Sequence, residues 1–242
     1  MFQVLTKEIG SFLNSLIAYI VISVFLTGMG LLMWVFPETN VLDYGFADMG
    51  TLFSLGPYVF MFLIPAITMK MFAEERKTGT IELLLTRPLT DFQLIGGKFI
   101  AAWLLVTFAL IPTLFYYFSL YYLGNPVGNI DSAGIAGSYI GLILLGGAFT
   151  AMGIFSTAIT ENQIVAFIIG VFLCFIFYSG FNSLSAINVW GKASLWLEQV
   201  GILYHYNAIS RGLIDSRDVV YFFSLISLML LSTNLVLGSR KW

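Results

Sequence analysis

The sequence predicts an all-α integral membrane protein with six transmembrane helices, an N-terminal amphipathic helix, a polar helical segment on the inner side and an outer re-entrant helical segment. Composition is the first reason: 59% of the residues are hydrophobic, 10% are charged and the mean hydropathy is +0.91. A water-soluble domain of 242 residues would need many more ionisable side chains to cover its surface. The second reason is segment length, since each apolar run reaches the roughly 20 residues that a helix needs to cross hydrocarbon. The third is placement, because every Asp, Glu, Lys and Arg falls outside those runs or at their edges.

Taken in order, residues 1–15 place Leu5, Ile9, Phe12 and Leu13 at spacings of three or four, continued by Leu16, which is the pattern of an amphipathic helix. The chain start lacks a basic region followed by a small-residue cleavage site, so the first span is expected to be retained. The spans are expected near 16–36, 52–71, 98–123, 135–157, 163–183 and 219–238. Pro65 and Pro112 lie inside the second and third, where each removes a backbone hydrogen bond and favours a kink. Gly137 and Gly141 form a GxxxG pattern that Gly146, Gly147 and Ala151 extend, a surface for close helix approach within or between chains.

Residues 184–218 are too long for a simple loop and too polar for a clean span. Their most apolar part, 193–204, is interrupted by Glu198 and Gln199 and surrounded by Trp190, Trp196, Tyr204 and Tyr206, which suits a re-entrant or interfacial helical pair rather than a seventh span. Lys and Arg set the orientation. With both termini inside, the inner side holds Lys7, Lys70, Arg76, Lys77, Arg87, Lys98, Arg240 and Lys241, against Lys192, Arg211 and Arg217 outside. The first outer loop carries Glu38, Asp43 and Asp48 and no cation, which agrees.

The densest polar stretch runs from Phe72 to Asp91 between the second and third spans. Gly79 or Thr80 can cap a short helix with Glu82 in its first turn, where a carboxylate complements the helix dipole. Ile81, Leu83, Leu84 and Leu85 make that helix apolar for a segment facing water, so it needs a partner surface or the membrane interface. Arg87 precedes Pro88 and is pushed from helical geometry. Thr90-Asp91-Phe92-Gln93 then reads as a capping box opening the next helix.

The stretch from Glu74 to Pro88 resembles the segment between the second and third spans of ABC-2-type transporter permeases, and the ending from Arg211 to Phe222 is similar to that family as well. Within the family the chain resembles the permease subunit of gliding-motility-associated ABC transporters. The resemblance implies one transmembrane domain over 1–242, with 1–15 as a connecting helix, 73–97 as the coupling region and 184–218 as an outer gate. It implies that a cytoplasmic coupling helix, Gly79 to Pro88, docks on a separate ABC ATPase subunit. Glu74, Glu75 and Glu82 would face the partner's cations, Leu83 and Leu84 would fill its groove, and Gly79, Thr80 and Pro88 would bound the element. Trp190, Trp196, His205 and Arg211 would belong to the gate. A second permease chain, identical or paralogous, a bacterial inner-membrane location with cytoplasmic termini, and ATP and Mg held by the partner ATPase complete the expectation. The chain itself is expected to hold no cofactor.

Other chemistry finds few residues to carry it. Gly96-Gly97-Lys98 is followed by Phe99 and is no phosphate loop, so the chain is not expected to be an enzyme. No ionisable group sits at mid-membrane, which disfavours an ion-coupled secondary transporter without excluding one that uses backbone carbonyls. His205, the only histidine, reads as locally bonded, and Ser179 has no histidine at its depth, which disfavours an intramembrane enzyme. Cys174, Met61, Met69 and Met71 read as packing. With a net charge of −2 and no basic stripe, no nucleic-acid partner is expected.

Overall fold

The computed structural model describes residues 2–43, 45, 47–80, 90–187, 194–212 and 214–239, and every regular element among them is helical. In chain order these are α1 (Phe2–Leu13), α2 (Leu16–Trp34), α3 (Gly50–Thr68), α4 (Ala73–Lys77), α5 (Asp91–Leu110), α6 (Leu114–Leu123), α7 (Ser132–Ile159), α8 (Gln163–Phe175), α9 (Phe181–Ser185), α10 (Ser194–Val200), α11 (Ile202–Ile209) and α12 (Ser216–Gly238). Five stretches are long and apolar enough to cross a membrane: Gly50–Lys77, Asp91–Leu123, Ser132–Ile159, Gln163–Ser185 and Ser216–Gly238. The pair Phe2–Leu13 and Ala18–Trp34, whose arms meet at 68°, passes the same test only when the two are taken together, as a broken span or a re-entrant loop. The expected all-α membrane fold is therefore the observed one.

Several helices begin before their apolar run because a polar side chain caps them. Asp131, Asn162 and Asp215 accept the backbone N–H groups of Gly134, Ile164 and Arg217 at 3.0, 2.9 and 2.9 Å. Each bond satisfies a donor that the helix start leaves orphaned. The capping box at Thr90 and Gln93 forms in both directions, each bond 3.3 Å.

Helix α7 is the axis of the bundle. Its apolar window is 83% buried, against 22% for the fifth span and 28% for the last. Small residues explain the difference, since they let neighbouring backbones come close. A Cβ on Gly146 would lie 2.9 Å from Val106, and one on Gly147 would lie 3.1 Å from both Trp103 and Ile226. The peripheral helices keep apolar outward faces: Ile164, Ile168 and Phe172 on α8, and Leu228, Leu231 and Leu235 on α12, are exposed to whatever surrounds the bundle. Lipid is the medium that suits them.

Three local features differ from the sequence reading or add to it. Pro112 does break the third span, where α5 passes through a 3-10 turn at Ile111–Thr113 before α6 resumes. Pro65 does not end α3, and the interruption falls instead at 69–72. The fifth span contains a π-helical turn at Ile176–Gly180 that no proline or glycine pair announced. On α1, Val4 is buried, Phe12 packs against the core, Glu8 is turned into the protein and Leu13 is exposed.

Candidate functional site

The bundle gathers polar side chains at two opposite ends. At the first, Lys98 sits two turns into α5 and is 1% exposed. Its ammonium donates to Glu8 Oε1 of α1 at 2.8 Å, to Glu75 Oε1 of α4 at 2.9 Å and to the Met71 carbonyl at 2.8 Å, so all three of its protons have acceptors. The Phe72 ring lies 5.0 Å from the same nitrogen. Lys7 adds a second cation, 3.2 Å from Glu75 Oε1 and 3.8 Å from Glu8 Oε1. Two cations and two carboxylates thus neutralise one another where α1, α4 and α5 meet. A charge this deeply buried persists only when paired and bonded.

Next to this cluster, Arg76 reaches across and donates through Nη1 to the Ala158 carbonyl in the last turn of α7. Carbonyls at a helix C-terminus lack intrahelical donors and carry the negative end of the dipole, so a guanidinium there satisfies both. Gly79, at φ +71°, closes α4 with its N–H on the Arg76 carbonyl at 3.1 Å. A positive φ is strained for residues with a Cβ, which is why glycine stands there. Thr80 Oγ1 folds back on the Glu75 carbonyl at 3.2 Å.

Of the expected coupling residues, Glu74, Gly79 and Thr80 are exposed, whereas Glu75 has one oxygen committed to Lys98 and Lys7. Glu82, Leu83, Leu84 and Pro88 lie outside the described residues, as does Trp190 of the expected gate. The sequence reading took Lys98 only as an inner-side charge and part of a failed phosphate loop. The available signal was one lysine at the start of an apolar run and one glutamate in an amphipathic helix, neither with a local partner.

At the opposite end, α10 and α11 pack as two short helices of 7 and 8 residues, each far below a membrane crossing. The GxxxG pattern of α7 is the seat of α11, within one chain. A Cβ on Gly137 would meet Gly212 Cα at 2.8 Å, and one on Gly141 would meet Ile209 at 3.3 Å. Gly212, at φ +80°, makes the turn that approaches α7, and Ser138 Oγ donates to the Ser210 carbonyl at 2.7 Å.

His205 of α11 has both ring nitrogens engaged, Nδ1 with Asp218 Oδ1 at 2.6 Å and Nε2 with the Gln199 carbonyl at 2.9 Å. It stacks on Tyr221, with ring centroids 3.8 Å apart, and so ties α10 and α11 to the first turns of α12. This agrees with a locally bonded histidine. Trp196 is 74% exposed, and Arg211 is exposed at the rim of a cavity of about 500 Å³. Tyr58, Tyr178 and Tyr206 line that cavity in edge-to-face contact, and Asp48 and Asp131 share its wall. Burial, with Tyr178 beside it, pushes the Tyr206 phenol well above its ordinary range, so it remains a donor, to the Phe53 carbonyl at 2.7 Å.

Among the described residues no group of His, Cys, Asp and Glu could hold a metal ion. Cys174 is fully buried in α8. No curated protein matches the chain. A family model described as ABC-2 family transporter protein matches residues 37–204, which takes in the second to fifth spans, the polar stretch between them and α10. That match runs over well more than half of a multi-pass helical chain, and the chain belongs to the ABC-2 transporter family as its membrane-spanning, non-catalytic component.

Proposed function

We propose that the protein is the permease subunit of an ABC-2-type transporter, coupling ATP hydrolysis by a separate ATPase subunit to export or to gliding-motility or secretion machinery. ATP and Mg are held by that ATPase, and a second permease chain, identical or paralogous, completes the path. The Lys98 end faces the cytoplasm of a bacterial inner membrane, with both termini on that side, in keeping with the excess of Lys and Arg there.

The observation that carries this reading is the double anchoring of the segment that leads to residues 79–88. Glu75 is bonded to Lys98 of α5 and shares that lysine with Glu8 of α1, while Arg76 is bonded to the end of α7. A push on 79–88 from a closing ATPase pair therefore acts on α1, α5 and the central helix at once. Helix α7 carries the motion to its far end, where Gly137, Gly141 and Ser138 seat α11. Packed elements with discrete arrangements transmit such displacements as rigid bodies. In this reading Glu82 meets cations of the ATPase, and Leu83 and Leu84 enter its groove. Trp190, Trp196, His205 and Arg211 belong to the exit.

The test is mild detergent purification of the tagged chain from its native membrane, with mass spectrometry of what stays bound. A stoichiometric subunit carrying a phosphate-loop motif, lost on Leu84→Asp, is expected. A chain that purifies alone under conditions preserving other membrane complexes would overturn the reading in favour of a self-sufficient carrier.

A further inference from the structure

Beside the Lys98 cluster lies a cavity of about 280 Å³ between α1 and the adjoining end of the second span, walled by Lys7, Glu8, Phe12, Lys70, Met71 and Glu74. Its charges fall into two sets. Glu8, Glu75, Lys98 and Lys7 form one set, each bonded within 3.2 Å to a member of opposite sign, with Glu75 Oε2 alone buried without a partner. Lys70 and Glu74 are the second set: neither the ammonium nor the carboxylate has a partner among the described residues. They are four residues apart, and the Glu74 N–H bonds the Lys70 carbonyl at 3.2 Å, so the backbone between them makes a helical turn. One unspent cation and one unspent anion therefore stand side by side on the same wall. Neighbours at this spacing have Cβ atoms about 5–6 Å apart.

We propose that this cavity binds a zwitterionic aminophosphate, the headgroup of a membrane phospholipid whose phosphate meets Lys70 and whose primary ammonium meets Glu74. A phosphate and an ammonium joined by a two-carbon bridge offer one anion to Lys70 and one cation to Glu74 and leave no net charge in the site. The wall formed by Glu8 and Lys7 is neutralised internally and does not bias the site to either sign. Depth fixes the source. Helix α1 bends 68° away from the first span and exposes Phe2 and Leu13, as a helix lying at the headgroup level does. Phe12 and Met71 give the cavity an apolar wall against which the start of an acyl chain fits. The inference rests on the membrane-spanning fold and not on the coupling reading.

The experiment uses the whole chain reconstituted in nanodiscs of equimolar phosphatidylethanolamine, phosphatidylcholine and phosphatidylglycerol, released for native mass spectrometry. Preferential retention of one phosphatidylethanolamine is expected. Glu74→Gln should reduce its preference over phosphatidylcholine, and Lys70→Ala should reduce retention of both, each by about tenfold, the worth of one charge-assisted hydrogen bond. Both positions are at the protein surface, and monodisperse elution checks that the variants fold. Equal retention of the three lipids by the unmodified chain would overturn the proposal, as would retention unchanged in both variants. Displacement of the lipid by equimolar glycerophosphoethanolamine would overturn the lipid source in favour of a soluble ligand.

Discussion

Lys98 holds Glu8 and Glu75 from within the protein, while Lys7, which approaches both carboxylates, is exposed. Lys98→Met leaves Glu8 and Glu75 close together with only the half-exposed Lys7 between them. Breaking a buried ion pair by removing one partner costs about 3–5 kcal/mol, so thermal unfolding in detergent should shift sharply downward. Adding Glu8→Gln and Glu75→Gln to the same chain should recover much of the loss, because the uncompensated carboxylates are then gone. His205 works similarly on a smaller scale. His205→Ala removes two hydrogen bonds and a stacked ring, and a net cost of about 1–3 kcal/mol is expected. Amide exchange across 202–209 should rise while the Lys98 end stays protected.

At the scale of elements, the seat of α11 on α7 depends on missing side chains. A Cβ on Gly137 would come within 2.8 Å of the Gly212 backbone, which has no flexible end to move aside. Gly137→Ala is therefore expected to cost about 1–3 kcal/mol as an overpacked contact, and to loosen α11 against α7. Gly10 lies mid-helix, and a Cβ added there would meet nothing within 4 Å, so Gly10→Ala should be neutral or stabilising by up to about 1 kcal/mol. A paired thermal melt of the two variants checks both statements. The GxxxG pattern left open whether these glycines join two chains or two parts of one. The backbone of 209–212 answers it, because that turn occupies the groove.

For the whole molecule, α7 joins the two polar ends. Arg76 grips its last turn and Ser138 its second, with most of the helix buried between them. Under the proposed function, Arg76→Ala should leave the ATPase subunit bound but lower its stimulation by the permease, since docking at 79–88 survives while the grip on α7 is lost. Copurification together with ATPase rates separates the two effects. Loss of the partner altogether would mean that Arg76 supports docking rather than transmission.

Membrane class, the approximate course of the apolar spans and the polar stretch between the second and third were legible in the sequence alone. Partition into hydrocarbon is close to a sum over consecutive residues, and caps such as Thr90 with Gln93 act over a single turn. Tertiary structure decided which polar groups meet. Glu8 and Lys98 are 90 positions apart, and Arg76 and Ala158 are 82 apart. Such pairs exist only once packing has brought their helices together, and no periodicity encodes them. Helix α1 shows the same limit. Its apolar spacing was legible, but the inward turn of Glu8 was not, because the buried lysine that pairs with it stands on another helix.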